Sequence, residues 1–154
     1  MPIQGVTDCT VHPMQRGATL LELALALVVF GLILGIALPR LEDVTDGLAV
    51  NGAAADIVAA HRRARITAIL QSQVVELTID TNDLAIRPRG AAADLWHAAG
   101  PAGRRVALAG APKTILFSPV GLSIGVSNTS FHLSRGAATR TVVVSRLGRV
   151  RVTP

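Results

Sequence analysis

The stretch that decides the fold is residues 17–38, GATLLELALALVVFGLILGIAL, in a chain of 154 residues. After Gly17 it holds 21 positions, of which only Glu22 is charged. A helix rises about 1.5 Å per residue, so this run would reach about 30 Å, the thickness of a bilayer's hydrocarbon core. The pattern therefore predicts a membrane-spanning helix over residues 18–38, with a carboxylate near its beginning.

Two ordinary kinds of membrane segment do not account for Glu22. A secretory signal peptide has an apolar core of about 7–15 residues and then a small-residue cleavage site. This run is longer and is followed by Pro39-Arg40. A plain single-pass anchor fits the length but leaves the carboxylate unexplained, because a charge near the bilayer centre costs about 2.5–3.5 kcal/mol. At a helix N-terminus the dipole would offset part of that cost.

The residues around Gly17 resemble a processing site. Gly17 followed by Ala-Thr-Leu-Leu-Glu-Leu is similar to the site in type IV prepilins and type II secretion pseudopilins. The resemblance implies a leader peptide over residues 1–17, cleavage after Gly17 by a prepilin peptidase, and methylation of the new N-terminus at Ala18. Glu22 is then the fifth residue after the cut, as in the family, although Ala18 replaces the usual Phe. Met14 is an alternative start that would shorten the leader.

The same resemblance implies how the chain assembles. Cleavage would give Ala18 a free amine, with which the Glu22 carboxylate of a neighbouring subunit could pair. Pro39 falls where many family members carry a helix-kinking proline, so Glu22 and Pro39 are the predicted assembly residues. The implied partners are other pseudopilins in a hetero-oligomer, the prepilin peptidase and the inner membrane. The chain would cross that membrane once and place its C-terminal domain in the periplasm; Arg16 before the span agrees with this orientation and Arg40 opposes it.

The rest of the chain is predicted to continue the helix over residues 39–73 and to form a β-rich domain over residues 74–154. Two sets of apolar residues have helical spacing on different registers: Leu41, Val44 and Leu48, and Ile57, Ala64 and Ala68. Alternating segments predict a hairpin over 74–79 and 84–87, strands at 114–117 and 130–133, and a terminal hairpin over 139–145 and 149–153. Residues 89–112, rich in Ala, Gly and Pro, are predicted to form a loop with a short strand at 105–108.

Several distal phrases resemble the GspH/FimT branch of the pseudopilins. They are HRRARITAIL, ILFSPVGLS, FHLS and TRTVVVSRLGRVRV. The resemblance implies an α+β, type IV pilin-like fold, in which a long N-terminal helix packs on a C-terminal antiparallel β-sheet domain. GspH-type members are minor pseudopilins at the tip of the type II secretion pseudopilus. FimT-type members belong to type IV pili, and some bind DNA through a Gly-Arg-x-Arg motif, whose form residues 148–151 share.

Charge in the distal half is strongly basic. From residue 84 onward there are ten basic side chains and one acidic one, within a formal net charge of +5 for the chain. In an extended strand Arg149 and Arg151 would point to one face, joined by Arg140 or Arg146 across the hairpin, and could contact successive phosphates of DNA. The alternative is a charged edge that prevents aggregation. We expect weak DNA binding at most.

Nothing in the sequence predicts catalysis. His12, His61, His97 and His132 are scattered without metal-ligand spacing or a nearby carboxylate in sequence, and each is expected to be a surface or half-buried residue. The sequence therefore predicts a non-enzymatic protein with no metal site and no cofactor.

The predicted function is that of a GspH-like minor pseudopilin, a structural tip or initiation subunit of a type II secretion pseudopilus that supports protein export across the outer membrane. Two alternatives stay open at this point. One is a FimT-type minor type IV pilin that binds DNA for natural transformation. The other is a plain membrane-anchored periplasmic binding domain.

Overall fold

Helix α1 runs from Leu20 to Leu70 in a computed structural model that describes residues 19–110, 112–125, 128–145 and 147–154. Thr19 caps the helix, because its Oγ1 accepts a hydrogen bond from the backbone N–H of Glu22 at 3.2 Å. The Thr-x-x-Glu spacing is that of a capping box, which satisfies backbone donors that the first turn would otherwise leave free. At the other end the chain leaves the helix through Ser72, whose φ of 49° is left-handed.

The chain divides into two compact units between Leu38 and Pro39. In the first unit the described part is helical from Leu20 onward, and every described residue of this unit is exposed. Pro39 lies inside α1 at the start of the second unit. Its ring has no N–H to donate to the preceding turn, so one helical hydrogen bond is missing at this boundary.

The second unit adds two antiparallel sheets to the second half of α1. The described strands are β1 (Val75–Ile79), β2 (Asp83–Pro88), β3 (Trp96–Ala99), β4 (Ala107–Ala109), β5 (Lys113–Phe117), β6 (Ser123–Ile124), β7 (Thr129–Arg135), β8 (Ala138–Val144) and β9 (Val150–Thr153). The five-stranded sheet has the order β3-β2-β1-β5-β6, and the four-stranded sheet has the order β4-β7-β8-β9. A 3₁₀ helix, Pro101–Arg104, connects β3 to β4.

The core lies between α1 and the two sheets. The sheets supply its large side chains, Phe117 from β5 and Phe131 from β7 among them, and both rings are fully buried. Strand β1 shows why the sequence folds this way, because Val75, Leu77 and Ile79 alternate with polar residues and all point inward. The helix supplies mainly small side chains: Val50, Ala53, Ala54, Ile57, Ala60, Ala64 and Ala68.

Two ion pairs connect α1 to the loops and strands of the second unit. The Nε of Arg104 in the 3₁₀ helix donates to Asp56 Oδ2 at 2.8 Å, and the hydrogen bond to this carboxylate raises the pKa of Arg104. Farther towards the N-terminus, the Nε of Arg135 at the end of β7 lies 2.7 Å from Asp46 Oδ1. Each pair therefore joins the helix to a different part of the β-rich region.

The strongest difference from the sequence expectations is in residues 89–112. A loop with one short strand at 105–108 was expected. The structure instead has the strand β3, the 3₁₀ helix and the strand β4, and β4 covers Ala107–Ala109. β3 pairs with β2 and β4 pairs with β7, so their partners lie 10–16 and 23–27 residues away in sequence, respectively. Ala, Gly and Pro have little strand propensity of their own, and tertiary pairing decides the structure here. The two-residue strand β6 was not expected either, and α1 ends at Leu70 rather than at residue 73.

Candidate assembly helix and basic surface

Glu22 lies in the first turn of α1 on an exposed, otherwise apolar surface. The residues around its side chain form a shallow groove lined by Leu25, Ala26, Val29, Phe30 and Ile33. The helix begins directly before this carboxylate because Thr19 caps it: the backbone N–H of Glu22 donates to Thr19 Oγ1. A carboxylate in a first turn also lies where the helix dipole is favourable. Gly17 and Ala18, the predicted processing site, lie outside the described residues.

Within the described ranges, one helix is long and apolar enough to cross a membrane, and this is α1. In its first twenty residues the large apolar side chains are all exposed, and several are more than half accessible: Leu20, Leu21, Leu23, Leu25, Leu27, Val28, Phe30, Leu32, Ile33, Ile36 and Leu38. Soluble proteins rarely expose an apolar surface of this extent, so this segment requires lipid or other apolar helices around it.

The basic hairpin, residues 138–153, exposes both Arg149 and Arg151. Arg151 pairs in register with Val143, which puts its side chain on the outer face of the four-stranded sheet. Arg149 is exposed but lies just before β9, where its backbone N–H donates to Ser145 Oγ at 3.1 Å. β9 is an edge strand, so both arginines lie at a free edge of the sheet.

The structure does not bring Arg140 together with Arg151. Arg140 shares the parity of Val142 and Val144, whose side chains are buried, whereas Arg151 is opposite Val143. Side chains alternate along a strand, so the two arginines belong to opposite faces of the sheet. The Nη1 of Arg140 donates to the backbone carbonyl of Thr139 at 2.8 Å. Arg146, the remaining expected member, lies outside the described residues.

Part of the distal positive charge is neutralised within the fold. Arg87 lies 3.0 Å from Asp94, while Arg104 and Arg135 pair with carboxylates of α1. In the described part of the chain neither Arg149 nor Arg151 forms an ion pair. Fewer basic side chains are therefore available to bind a partner than the sequence suggests.

His61 is buried, contrary to the expectation of a surface or half-buried histidine. It lies on the core face of α1 with 2% of its surface exposed, and its ring meets Phe117 edge-on at a centroid distance of 4.9 Å. Its Nε2 has no hydrogen-bond partner among the described residues. Burial, reinforced by the positive charges of Arg65 and Arg62, lowers the pKa of His61 from 6.5 to about 4. A neutral, unpaired imidazole packed on an aromatic ring behaves as a core residue.

The remaining histidines have local polar partners. His97 Nε2 lies 3.0 Å from Asp83 Oδ1 across the β2–β3 pair, and His132 Nδ1 lies 3.1 Å from Thr141 Oγ1. Over the described ranges, the His, Cys, Asp and Glu side chains form no group of three that could hold a metal ion.

An exposed apolar helical segment with a carboxylate in its first turn, continued by a helix that packs on antiparallel sheets, defines a protein of the type IV pilin-like class. The family model described as type II transport protein GspH matches residues 53–148, and the prokaryotic N-terminal methylation motif matches residues 12–38. The chain belongs to the GspH family. The motif and the apolar helix together indicate membrane anchoring, and proteins of this family are structural subunits that assemble with other pilins or pseudopilins.

Two proteins of the pilin-like class are similar to this chain, one in sequence and one in fold. Pilin-like protein PilA1 of Thermus thermophilus is 32% identical over 164 aligned positions, which cover 90% of this chain and 98% of that protein. The type IV minor pilin FimU of Pseudomonas aeruginosa shares the fold in two crystal forms, with TM-scores of 0.56 and 0.54 at 21% and 20% identity. These matches cover 68% of this chain and 88% and 92% of the FimU chains.

Proposed function

We propose that this protein is a GspH-like minor pseudopilin, a structural tip or initiation subunit of a type II secretion pseudopilus that supports protein export across the outer membrane. It is made as a precursor, cleaved after Gly17 and methylated at Ala18. It is held in the inner membrane by its apolar helix, with the second unit in the periplasm. The observation that carries the proposal is the exposed apolar helix whose only charged side chain before Pro39 is Glu22.

In this proposal Glu22 sets the position of one subunit against the next. A lone carboxylate in lipid is costly, but it is tolerable when an opposite charge meets it and hydrogen-bonds to it. The amine of Ala18 in a neighbouring subunit would supply that charge after cleavage. The groove that Leu25, Ala26 and Val29 form beside Glu22 gives the neighbouring helix an apolar surface to pack on.

The test distinguishes two roles at this helix end, charge pairing by Glu22 and helix capping by Thr19. Glu22→Gln removes the charge and keeps a side chain of similar size, whereas Thr19→Ala removes the capping hydroxyl and keeps the charge. A lost cap costs about 1 kcal/mol and should leave assembly intact. We expect Glu22→Gln to insert and to be processed, yet to lose co-purification with other pseudopilins from membranes, while Thr19→Ala retains it. Equal co-purification of Glu22→Gln and wild type would contradict the pairing role.

Processing is tested at the cleavage site itself. The peptidase must approach the backbone at Gly17, so a bulky residue there should leave full-length precursor in the membrane. Intact-mass measurement of the wild type should give a chain that starts at N-methylated Ala18. A mature chain that starts elsewhere would contradict the assignment of the leader.

DNA binding by the basic edge is a second candidate function, supported by the exposure of Arg149 and Arg151 without an ion pair in the described chain. If both contact phosphates, the logarithm of the affinity for duplex DNA should fall with the logarithm of salt concentration, with a slope near −0.9 per contact. Arg149→Ala with Arg151→Ala should flatten this slope by about two units in a fluorescence-anisotropy salt series. The placement of Arg140 on the other face weakens this candidate, since a two-residue contact binds weakly.

A plain membrane-anchored binding domain is the third candidate, and the Glu22 experiment also tests it. A simple anchor would gain from the loss of a charge in its apolar run and would need no partner subunit. Retained periplasmic function of Glu22→Gln, with no associated subunits in the wild type, would support the plain anchor instead.

A further inference from the structure

Two turns of the second unit have the same sequence pattern and the same hydrogen bonds. The pattern is Ser-x-aliphatic-Gly, which occurs as SPVG at residues 118–121 and as SRLG at residues 145–148. In each turn the Ser N–H donates to the carbonyl O four residues later at 2.8 Å, and the Gly N–H donates to the Ser carbonyl O at 2.8 or 2.9 Å. The Ser Oγ accepts from the backbone N–H four residues later, at 3.1 Å in both turns. We call residues 118–122 and 145–149 the twin turns.

Glycine allows each turn to close and leaves one aliphatic side chain at its tip. Gly121 and Gly148 have φ angles of 77° and 72°, in the left-handed region that favours glycine, and both are buried. The residue before each glycine is exposed, since Val120 keeps 72% of its surface accessible and Leu147 keeps 77%. Hydrogen bonds and packing therefore hold the backbone of each turn, while one bulky apolar side chain stays in contact with water.

The twin turns lie side by side, and each has a guanidinium next to it. A Cβ placed on Gly148 would lie 3.9 Å from the carbonyl O of Gly121, and a Cβ placed on Gly121 would lie 3.2 Å from Arg65 Nε. Arg149 follows Gly148 directly in the chain. Both arginines are exposed, and neither forms an ion pair with a described residue. Each turn thus combines an exposed aliphatic tip with a positive charge.

The positive charge beside the twin turns needs an anion from outside the fold. From residue 84 onward Asp94 is the only acidic side chain, and it pairs with Arg87 at 3.0 Å. Asp46 and Asp56 of α1 already pair with other arginines. A partner that covers the tips and removes water from the guanidiniums must therefore bring negative charge as well as apolar surface.

This combination fits the surface of a membrane. Aliphatic side chains on rigid turns can enter the boundary between headgroups and acyl chains, and arginines gain from contact with anionic headgroups. We propose that the twin turns bind an anionic phospholipid surface. Val120 and Leu147 enter the headgroup region, and the two arginines contact lipid phosphates. The inference goes beyond the proposed function and does not depend on assembly with other subunits.

A protein partner or nucleic acid fits the twin turns less well. The apolar surface at their tips consists of two side chains, far short of the roughly 800 Å² that each partner buries in a stable protein interface. Nucleic acid would satisfy the arginines, but neither tip carries a ring on which a base can stack. A lipid surface needs no complementary shape and no aromatic ring, so two aliphatic tips and two guanidiniums are sufficient for contact.

The test uses the full-length chain in nanodiscs of phosphatidylcholine, which hold the apolar helix, and adds vesicles of phosphatidylglycerol and phosphatidylcholine in equal parts. We expect discs with the protein, and not empty discs, to float with these vesicles in a density gradient. Val120→Ser with Leu147→Ser should lower the partition coefficient about a hundredfold, tenfold for each side chain that no longer enters lipid. The matched control, Leu48→Ser with Leu95→Ser, removes two exposed aliphatic side chains elsewhere and should leave it unchanged.

Two further variants separate the contribution of charge from that of insertion. Arg65→Gln with Arg149→Gln should weaken binding to the anionic vesicles by about tenfold or more and remove most of its salt dependence. Leu147→Cys in a Cys9→Ser background carries a polarity-sensitive dye on the single cysteine of that chain. The dye emission should shift to shorter wavelength when anionic vesicles are added, because the tip enters a less polar environment.

Equal flotation of the double-serine variant and the wild type would overturn the proposal, and so would a dye that stays in water on floated discs. An emission shift caused by duplex DNA or by a higher protein concentration, with none caused by vesicles, would assign the twin turns to nucleic acid or to a second copy instead. Trp96 fluorescence reports folding; if the double-serine variant is unfolded, the dye result decides. Co-purification through Glu22 reports the proposed function on the same proteins, so failure of vesicle binding leaves that function standing.

Discussion

Protonation of the buried imidazole of His61 should destabilise the second unit in mild acid. Burial, with Arg65 and Arg62 nearby, lowers the pKa of His61 to about 4, whereas an unfolded chain has the ordinary value of 6.5. Because the folded-state pKa is the lower one, the unfolded chain takes up a proton first as the pH falls. The stability associated with His61 is therefore complete above about pH 6.5 and is lost between pH 6.5 and pH 4.

The size of the effect follows from the two pKa values. One unit of pKa difference corresponds to about 1.4 kcal/mol between the protonation states. Relative to pH 7, the free energy of unfolding should fall by about 2 kcal/mol at pH 5 and by about 3 kcal/mol at pH 4 through His61 alone. This is a large fraction of the stability of a small domain, which is about 5–15 kcal/mol.

The matched variant is His61→Phe, which keeps a ring against Phe117 and removes the titratable nitrogens. Urea unfolding of both proteins in detergent micelles, followed by Trp96 fluorescence between pH 7 and pH 4, gives the two stability profiles. Carboxylates titrate in the same range in both proteins, so the difference between the profiles isolates His61. We expect that difference to grow by about 3 kcal/mol towards pH 4. Parallel profiles would refute the reasoning, because they would mean that His61 has the same pKa in the folded and unfolded chain.

Two further predictions concern single contacts of the second unit. A Cβ at Gly100 would lie 2.6 Å from both the backbone N of Asp83 and the carbonyl O of Thr81, so Gly100→Ala should cost about 1–3 kcal/mol in urea unfolding. Gly103→Ala, where a Cβ would meet only Ala99 Cβ at 3.4 Å, is the control and should be nearly neutral. Asp46→Asn removes the half-buried pair with Arg135 and should cost about 1 kcal/mol, a loss that shrinks at high salt; equal stability at low salt would contradict it.

The apolar run with Glu22, and the long helix and antiparallel sheets that follow it, could be predicted from the sequence because periodicity and the methylation motif are local signals. The terminal hairpin was also predictable, since alternating residues and the turn at Gly148 lie close together in the chain. Strand β3 was not predicted, and the strand expected at 105–108 overlaps β4 only at residues 107 and 108, because these Ala-rich segments become strands only through pairing with distant partners.

The placement of individual side chains also required the structure. The burial of His61 depends on which face of α1 meets β5, and the presence of a histidine does not by itself indicate that face. Its spacing from the buried Ile57 and Ala64 was the available signal, since residues three and four apart share a helix face. Arg140 and Arg151 lie on opposite faces of the sheet because side chains alternate along β8 and β9. This could be predicted only if the register between the two strands were known.

The alanine-rich inner face of α1 has a consequence for axial register. Ala53, Ala60, Ala64 and Ala68 offer the sheets a nearly smooth surface, because methyl groups form shallow ridges that do not strongly resist sliding or rotation of a helix. The ion pairs of Asp46 and Asp56 lie ten residues apart, which is about 15 Å along the helix axis. Together with the larger buried side chains Val50, Ile57 and His61, these two polar contacts at different positions along the axis hold the helix against both translation and rotation.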